Sequence, residues 1–184
     1  LAEKASTAYV QNYGYSIEGR PLIYMLISDE QNLKNIDSIQ YYHQQYLTGS
    51  IQAIPEPYRK AIVWLSFGVH GNEAGATESA LQTMYELVSG EREEVESWLD
   101  ETVVILDPCL NPDGFDRYVQ FYRSKKGAYP NKNEAALEHK EPWPGGRLNH
   151  YLFDLNRDWA WQTQHESQQR MQLYQQWYPH VHVD

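Results

Sequence analysis

His70-Gly71-Asn72-Glu73 sets an imidazole and a carboxylate three residues apart, just where an apolar run stops. Zinc takes imidazole nitrogen and carboxylate oxygen at about 2.0–2.2 Å, and catalytic zinc sites use three protein ligands, leaving one position for water. His70 and Glu73 could be two of those ligands. The competing reading is a surface His beside a Glu that a helix N-terminus stabilises through its dipole. An H-x-x-E match has little specificity alone. A second string, Asp154-Leu155-Asn156-Arg157-Asp158-Trp159, puts an amide beside a guanidinium. A guanidinium binds a carboxylate through two parallel hydrogen bonds and an amide adds a donor, so Asn156 and Arg157 could clamp an anionic chain end. Arg157 could equally pair with Asp154 or Asp158. A third string, Asn111-Pro112-Asp113-Gly114, is followed by Arg117 and Arg123. Read by itself it is a turn with arginines on a solvated face.

These residues need a scaffold, and apolar periodicity predicts one. Ala61 to Val69 reads as a buried strand ending at His70, with Gly68 and Gly71 allowing a sharp backbone bend. Residues 74–89 read as a helix stopping at Gly90, a C-terminal cap, followed by a short acidic helix from Glu91 to Leu99. Thr102 to Leu106 is a β-branched strand running into the turn-rich stretch 107–114. Upstream, a hairpin turn at 16–21 joins strands at 13–15 and 22–27, and residues 33–47 have helical spacing. Residues 124–150 read as a long surface loop, a kind that is usually functional or disordered. Residues 162–177 read as a polar helix ended by Pro179, and 180–184 as the start of another strand. Strands alternating with helices predict an α/β fold with a mixed, largely parallel central sheet flanked by helices. In such sheets sites form at the carboxyl ends of strands, where His70, Glu73 and Asn111 to Asp113 fall.

The 184 residues fit a single domain, 1–184. A net charge of −10 argues against nucleic acid and anionic membrane surfaces as partners. No run of 18 apolar residues is present that could span a membrane, and no signal peptide pattern is seen. The start at Leu1 suggests a processed or trimmed chain. Cys109 is the only cysteine, which excludes an internal disulfide, and it reads as a small buried hydrophobe rather than a reactive thiol.

Taken together and in this order, His70/Glu73, Asn111–Gly114, Arg123 and Asp154–Arg157 resemble the zinc metallocarboxypeptidases (funnelins), over roughly residues 13–184. The resemblance implies a carboxypeptidase-like fold, one Zn2+ per site held by His70 and Glu73, and a peptide substrate whose free C-terminal carboxylate is gripped by Asn156 and Arg157. It implies that Arg123 stabilises the oxyanion, with Arg117 as rival. Asn72 stands where pancreatic-type members carry a substrate-binding Arg, which points to a divergent bacterial-type branch. Family habit implies secretion or a periplasmic location.

The third ligand of the resembled family is a His two residues after an Asp on a later strand. Val181-His182-Val183-Asp184 leads up to that pattern, so the ligand is expected beyond residue 184, with His182 as a substitute. The general-base Glu is expected further on still. The chain is thus read as the N-terminal portion of a catalytic domain, its sheet incomplete at the C-terminus and inactive by itself. Two alternatives stay open. One is a zinc-dependent deacylase acting on N-acyl amino acids. The other is a non-catalytic binding module with Trp143, Trp159, Trp161 and Trp177 as a stacking platform.

Overall fold

The computed structural model describes residues 5–89 and 93–184. Strands β1 (Ala8–Tyr15) and β2 (Pro21–Ile27) form the expected hairpin. Gly19 closes it at φ +78°, a left-handed conformation that glycine adopts without steric cost. β3 (Ala61–Ser66), β4 (Thr102–Asp107) and β5 (Val181–Val183) complete a five-stranded sheet of order β1-β2-β4-β3-β5. β2 pairs antiparallel with both β1 and β4, whereas β3 runs parallel to both β4 and β5. The sheet is mixed, and its parallel half carries the strand ends where His70 and Asn111 lie.

Both faces of the sheet are covered, as a central strand with a continuous apolar run requires. In β4, Val104 and Leu106 face α3 (Ala74–Val88) and α4 (Glu93–Glu101), packing with Met25, Ala80, Met84, Val95 and Leu99. The alternate residues Val103 and Ile105 face α2 (Ile36–Leu47) and α6 (His165–Trp177), packing with Ile39, Trp64, Leu173 and Trp177. This two-residue alternation fixes the register, since a slip by one would exchange the two faces.

Several boundaries differ from those that periodicity predicts. The helix expected over 33–47 is two: α1 (Glu30–Lys34) and α2, separated by Asn35. Buried Asn32 holds α1 in place by donating to the carbonyls of Leu99 and Asp100. β3 stops at Ser66 because Gly68, at φ +66°, turns the chain out of the sheet. Pro112 is not in a turn but opens helix α5 (Pro112–Lys125), with Asn111 capping it by accepting from the Gly114 N–H at 3.0 Å. α6 starts at His165 rather than Gln162, because Asp158 takes the N–H groups of Thr163 and Gln164. The cap at Gly90 and the first residues of the acidic helix lie outside the described residues. Residues 126–150 are largely irregular, with one 3-10 turn at Leu137–His139.

Asp107, the last residue of β4, is fully buried. Tyr13 Oη donates to its Oδ2 at 2.7 Å, while Oδ1 has no partner among the described residues. Burial pushes its carboxyl up to about 7, against the opposing pull of the Tyr13 hydrogen bond and the Arg170 charge. A folded-state value raised above the unfolded one, about 3.9, contributes stability fully present below about pH 4 and lost as pH rises through about 7. Asp107→Asn removes that ionisation. It is expected to leave stability unchanged near pH 4 and to raise it by about 4 kcal/mol near pH 8, at about 1.36 kcal/mol for each of about three pH units. Thermal melts of parent and variant across that range check this.

Candidate metal centre and carboxylate clamp

The junction from β3 to α3 is stitched to the end of β4. Phe67 N–H donates to Asp107, Leu110 N–H to Phe67 and Asn111 N–H to Gly68. Within this junction Glu73 N–H donates to the His70 carbonyl at 3.1 Å, a tight turn that brings both side chains to the same side. His70 Nδ1 lies 3.2 Å from Glu73 Oε1. The junction also lies close against two other segments. A Cβ added at Gly71 would sit 2.1 Å from backbone atoms of Gly114 and Phe115 and 2.6 Å from the Gly146 carbonyl. One at Gly114 would sit 2.3 Å from that same carbonyl. Glycine at 71 and 114 therefore lets the start of α5 and the loop at 145–147 press against the H-x-x-E segment.

His70 is buried, and its Nε2 lies 3.0 Å from Asp154 Oδ1. Burial disfavours the Asp154 charge. The hydrogen bonds from His70 and from Asn156 N–H, with the His70 and Arg147 charges, outweigh it and hold the carboxyl below the usual range. Ionised Asp154 accepts a hydrogen bond from Nε2–H, and in the tautomer that makes this bond the Nδ1 lone pair faces Glu73. A lone pair and a carboxylate oxygen 3.2 Å apart need a proton or a cation between them. A carboxylate fixing the far nitrogen of a ligating His is also how metal-binding imidazoles are commonly oriented. The donor pair therefore fits a zinc ion. Asp154 and Glu73 meet opposite ring nitrogens. Among the described residues, no three His, Cys, Asp or Glu side chains are grouped so as to hold a metal. Asp154→Ala frees the ring and is expected to weaken zinc binding by about 10–100-fold, read by competition with a chromophoric chelator.

A guanidinium lies across the two carboxylates. Arg147 reaches Glu73 Oε1 at 3.1 Å and Asp154 Oδ2 at 3.4 Å. Arg123, by contrast, is exposed in the last turn of α5. It lies 11 residues beyond Pro112, about 16 Å along the helix. Arg117 donates to the carbonyls of Gly145, Leu148 and Asn149, which commits it to holding the loop. Asp113 is likewise committed: it accepts from Ser16, Glu18 N–H and Arg20 of the hairpin turn. Arg147 is the neighbour of Glu73 and Asp154 that sequence reasoning missed, and its one local signal is the Gly145-Gly146 pair before it.

Asn156 and Arg157 sit on a 3-10 turn (Leu155–Arg157) capped by Asp154, so the clamp candidates follow directly from the residue that holds His70. Arg157 is exposed. Among the described residues it pairs with no carboxylate, donating only to the Asn156 carbonyl at 3.3 Å. Asp154 is taken by His70 and Arg147, and Asp158 by Thr163 and Gln164. The salt bridge that sequence suggested for Arg157 is not formed, which leaves an exposed cation three residues after Asp154.

His182 lies on β5 opposite Trp64, its Nε2 2.9 Å from Ser66 Oγ and its ring among Trp64, Trp159 and Tyr174. Burial lowers its pKa. The four-tryptophan platform is not assembled: Trp177 is buried, Trp159 lies 3.9 Å under the Arg170 guanidinium, and Trp143 and Trp161 remain exposed. Cys109 is half-buried, and burial pushes its thiol up to about 11, which disfavours the reactive thiolate. Among the described residues no helix is long and apolar enough to cross a membrane.

The model of the zinc carboxypeptidase family matches residues 1–181. Carboxypeptidase 2 of Trichophyton rubrum is 35% identical over 78 residues, 40% of this chain and 14% of that protein. The metallo-carboxypeptidase structure from Burkholderia cenocepacia superposes with a TM-score of 0.60 at 16% identity, over 95% of this chain and 34% of that one. The metallo-carboxypeptidase from Pseudomonas aeruginosa, solved with (2-guanidinoethylmercapto)succinic acid, gives 0.58 at 16% identity, over 100% of this chain and 36% of that one. The chain thus spans about a third of the length of these solved structures.

Proposed function

Because this chain belongs to the zinc carboxypeptidase family, we propose that it supplies one wall of a zinc-dependent exopeptidase site that releases the C-terminal residue of peptides. One observation carries the reading: His70, oriented by Asp154, turns Nδ1 to Glu73, and Arg157, three residues after Asp154, pairs with no carboxylate among the described residues. His70 and Glu73 would hold the zinc ion. When bound, zinc polarises a carbonyl and lowers the pKa of its water toward about 7.

The chain's own residues do the rest. Arg157 and Asn156 grip the terminal carboxylate of the peptide, because burying a free carboxylate needs a charged partner. Arg147, next to Glu73, stabilises the negative charge that develops on the scissile carbonyl oxygen. The role expected of Arg123 goes to Arg147 on grounds of placement. Two ligands fall short of the three that catalytic zinc uses. The third, and the general-base Glu, are assigned to sequence outside the described residues. Residues 1–184 are then the N-terminal portion of a single catalytic domain, inactive without its remainder. Export to the periplasm or medium completes the reading.

The test compares peptides with free and amidated C-termini, alongside N-acyl amino acids, on the intact protein. Cleavage of the free peptide alone supports the reading. Equal cleavage of both overturns it, and hydrolysis of N-acyl amino acids without peptides makes the protein a deacylase.

A further inference from the structure

The loop carrying Arg147 has little regular structure, yet its guanidinium must stay against Glu73 for the role proposed above. A long side chain on an irregular loop loses several rotatable bonds' worth of entropy when it is fixed. That cost is smaller if the backbone beneath it is already held. The contacts around Gly145-Gly146-Arg147 supply such a hold from two sides.

On one side stands Glu141. Its Oε1 accepts from the Gly146 N–H and its Oε2 accepts from Asn72 Nδ2 at 2.9 Å. One carboxylate therefore ties the residue before Arg147 to the middle of the H-x-x-E segment. Gly145 at φ +62° brings the turn around this carboxylate, and its N–H donates to the Pro142 carbonyl at 2.9 Å. On the other side, Arg117 collects the carbonyls of Gly145, Leu148 and Asn149. Asn111 Nδ2 donates to the carbonyls of Val69 and Arg147, which links both to one side chain. N–H and C=O groups on either side of Arg147 are thus anchored to groups adjoining His70 and Glu73.

We propose that Glu141 is a positioning residue for Arg147, with Asn72 as its anchor on the metal-binding segment. The inference rests on the carboxypeptidase reading above, and in particular on the part given to Arg147. Asn72, the residue that departs from the resembled pattern, is then a loop anchor.

Steady-state kinetics on the intact protein test this through a double-mutant cycle. Arg147→Ala is expected to lower kcat about 100-fold, with KM changed less than about threefold. Glu141→Ala, by letting the guanidinium drift, is expected to lower kcat about tenfold, again with KM little changed. The double variant should match Arg147→Ala, because Glu141 acts only through it. Glu141→Gln, which keeps an acceptor for Gly146 and can donate to Asn72 Oδ1 once that amide turns over, should restore kcat to within about threefold of the parent. Multiplying losses, near 1000-fold in the double variant, would show that Glu141 works independently of Arg147 and overturn the proposal. Full kcat in Glu141→Ala beside a crippled Arg147→Ala would overturn it too, leaving the carboxypeptidase reading intact. An unimpaired Arg147→Ala would overturn it together with the oxyanion role given to Arg147, and would leave the carboxypeptidase reading to the comparison of free and amidated peptides. If Glu141→Ala does not fold, the cycle of Asn72→Ala with Arg147→Ala decides by the same non-additivity.

Discussion

His70→Ala is expected to abolish stoichiometric zinc uptake by the intact protein and to lower kcat/KM by about 10³ or more, since Lewis-acid stabilisation is worth several kcal/mol and each 1.36 kcal/mol is tenfold. The loss should come without collapse of the fold. Glu73 and Asp154 both keep Arg147, and Asp154 keeps the Asn156 N–H. A purely structural His70, held between two carboxylates, would behave in the opposite way. Its removal would cost melting temperature and leave metal content alone. Zinc per protein, by metal analysis after dialysis, and the melting temperature separate the two.

Arg157→Ala should act on binding of the peptide's end. Truncating one partner of a buried charge pair costs about 2–5 kcal/mol, or roughly 30-fold to several thousand-fold in kcat/KM, carried mainly by KM. Because the guanidinium pairs with the terminal carboxylate and an amide offers it no charge, selectivity for free over amidated peptides should shrink by the same factor. Arg157→Lys should restore little, since an ammonium offers a point charge in place of a planar fork. Rates on both peptides measured for parent and variants give the answer. A variant that keeps its preference for the free terminus would remove Arg157 from the clamp.

What the sequence disclosed follows from which forces act locally. The hairpin, β3, α3 and β4 were legible because their apolar residues alternate or recur with a fixed period, and both sheet faces are buried. His70 and Glu73 were legible because three residues of chain suffice to bring them together. Asp154 was visible only as a neighbour for Arg157. Its actual partner, His70, is 84 residues away, and no spacing rule reaches that far. Arg147 was hidden for the same reason: it lies on a loop without periodicity and meets Glu73 across 74 residues. The break at Asn35 comes from tertiary bonds of Asn32 to the end of α4, which helical spacing over 33–47 does not register. Asn111-Pro112 was readable as a helix start, with its cap and its N1 proline, and reading the string as a turn missed that signal.

In the proposed site His70 Nδ1 and Glu73 share one zinc ion while Asp154 holds the other ring nitrogen. An anomalous difference map at the zinc edge, from crystals of the intact protein grown with zinc, tests it directly. One strong peak is expected within about 2.0–2.2 Å of His70 Nδ1 and a Glu73 oxygen, with Asp154 still on Nε2. A peak bound through Nε2 and Asp154, or no peak near His70, would contradict it.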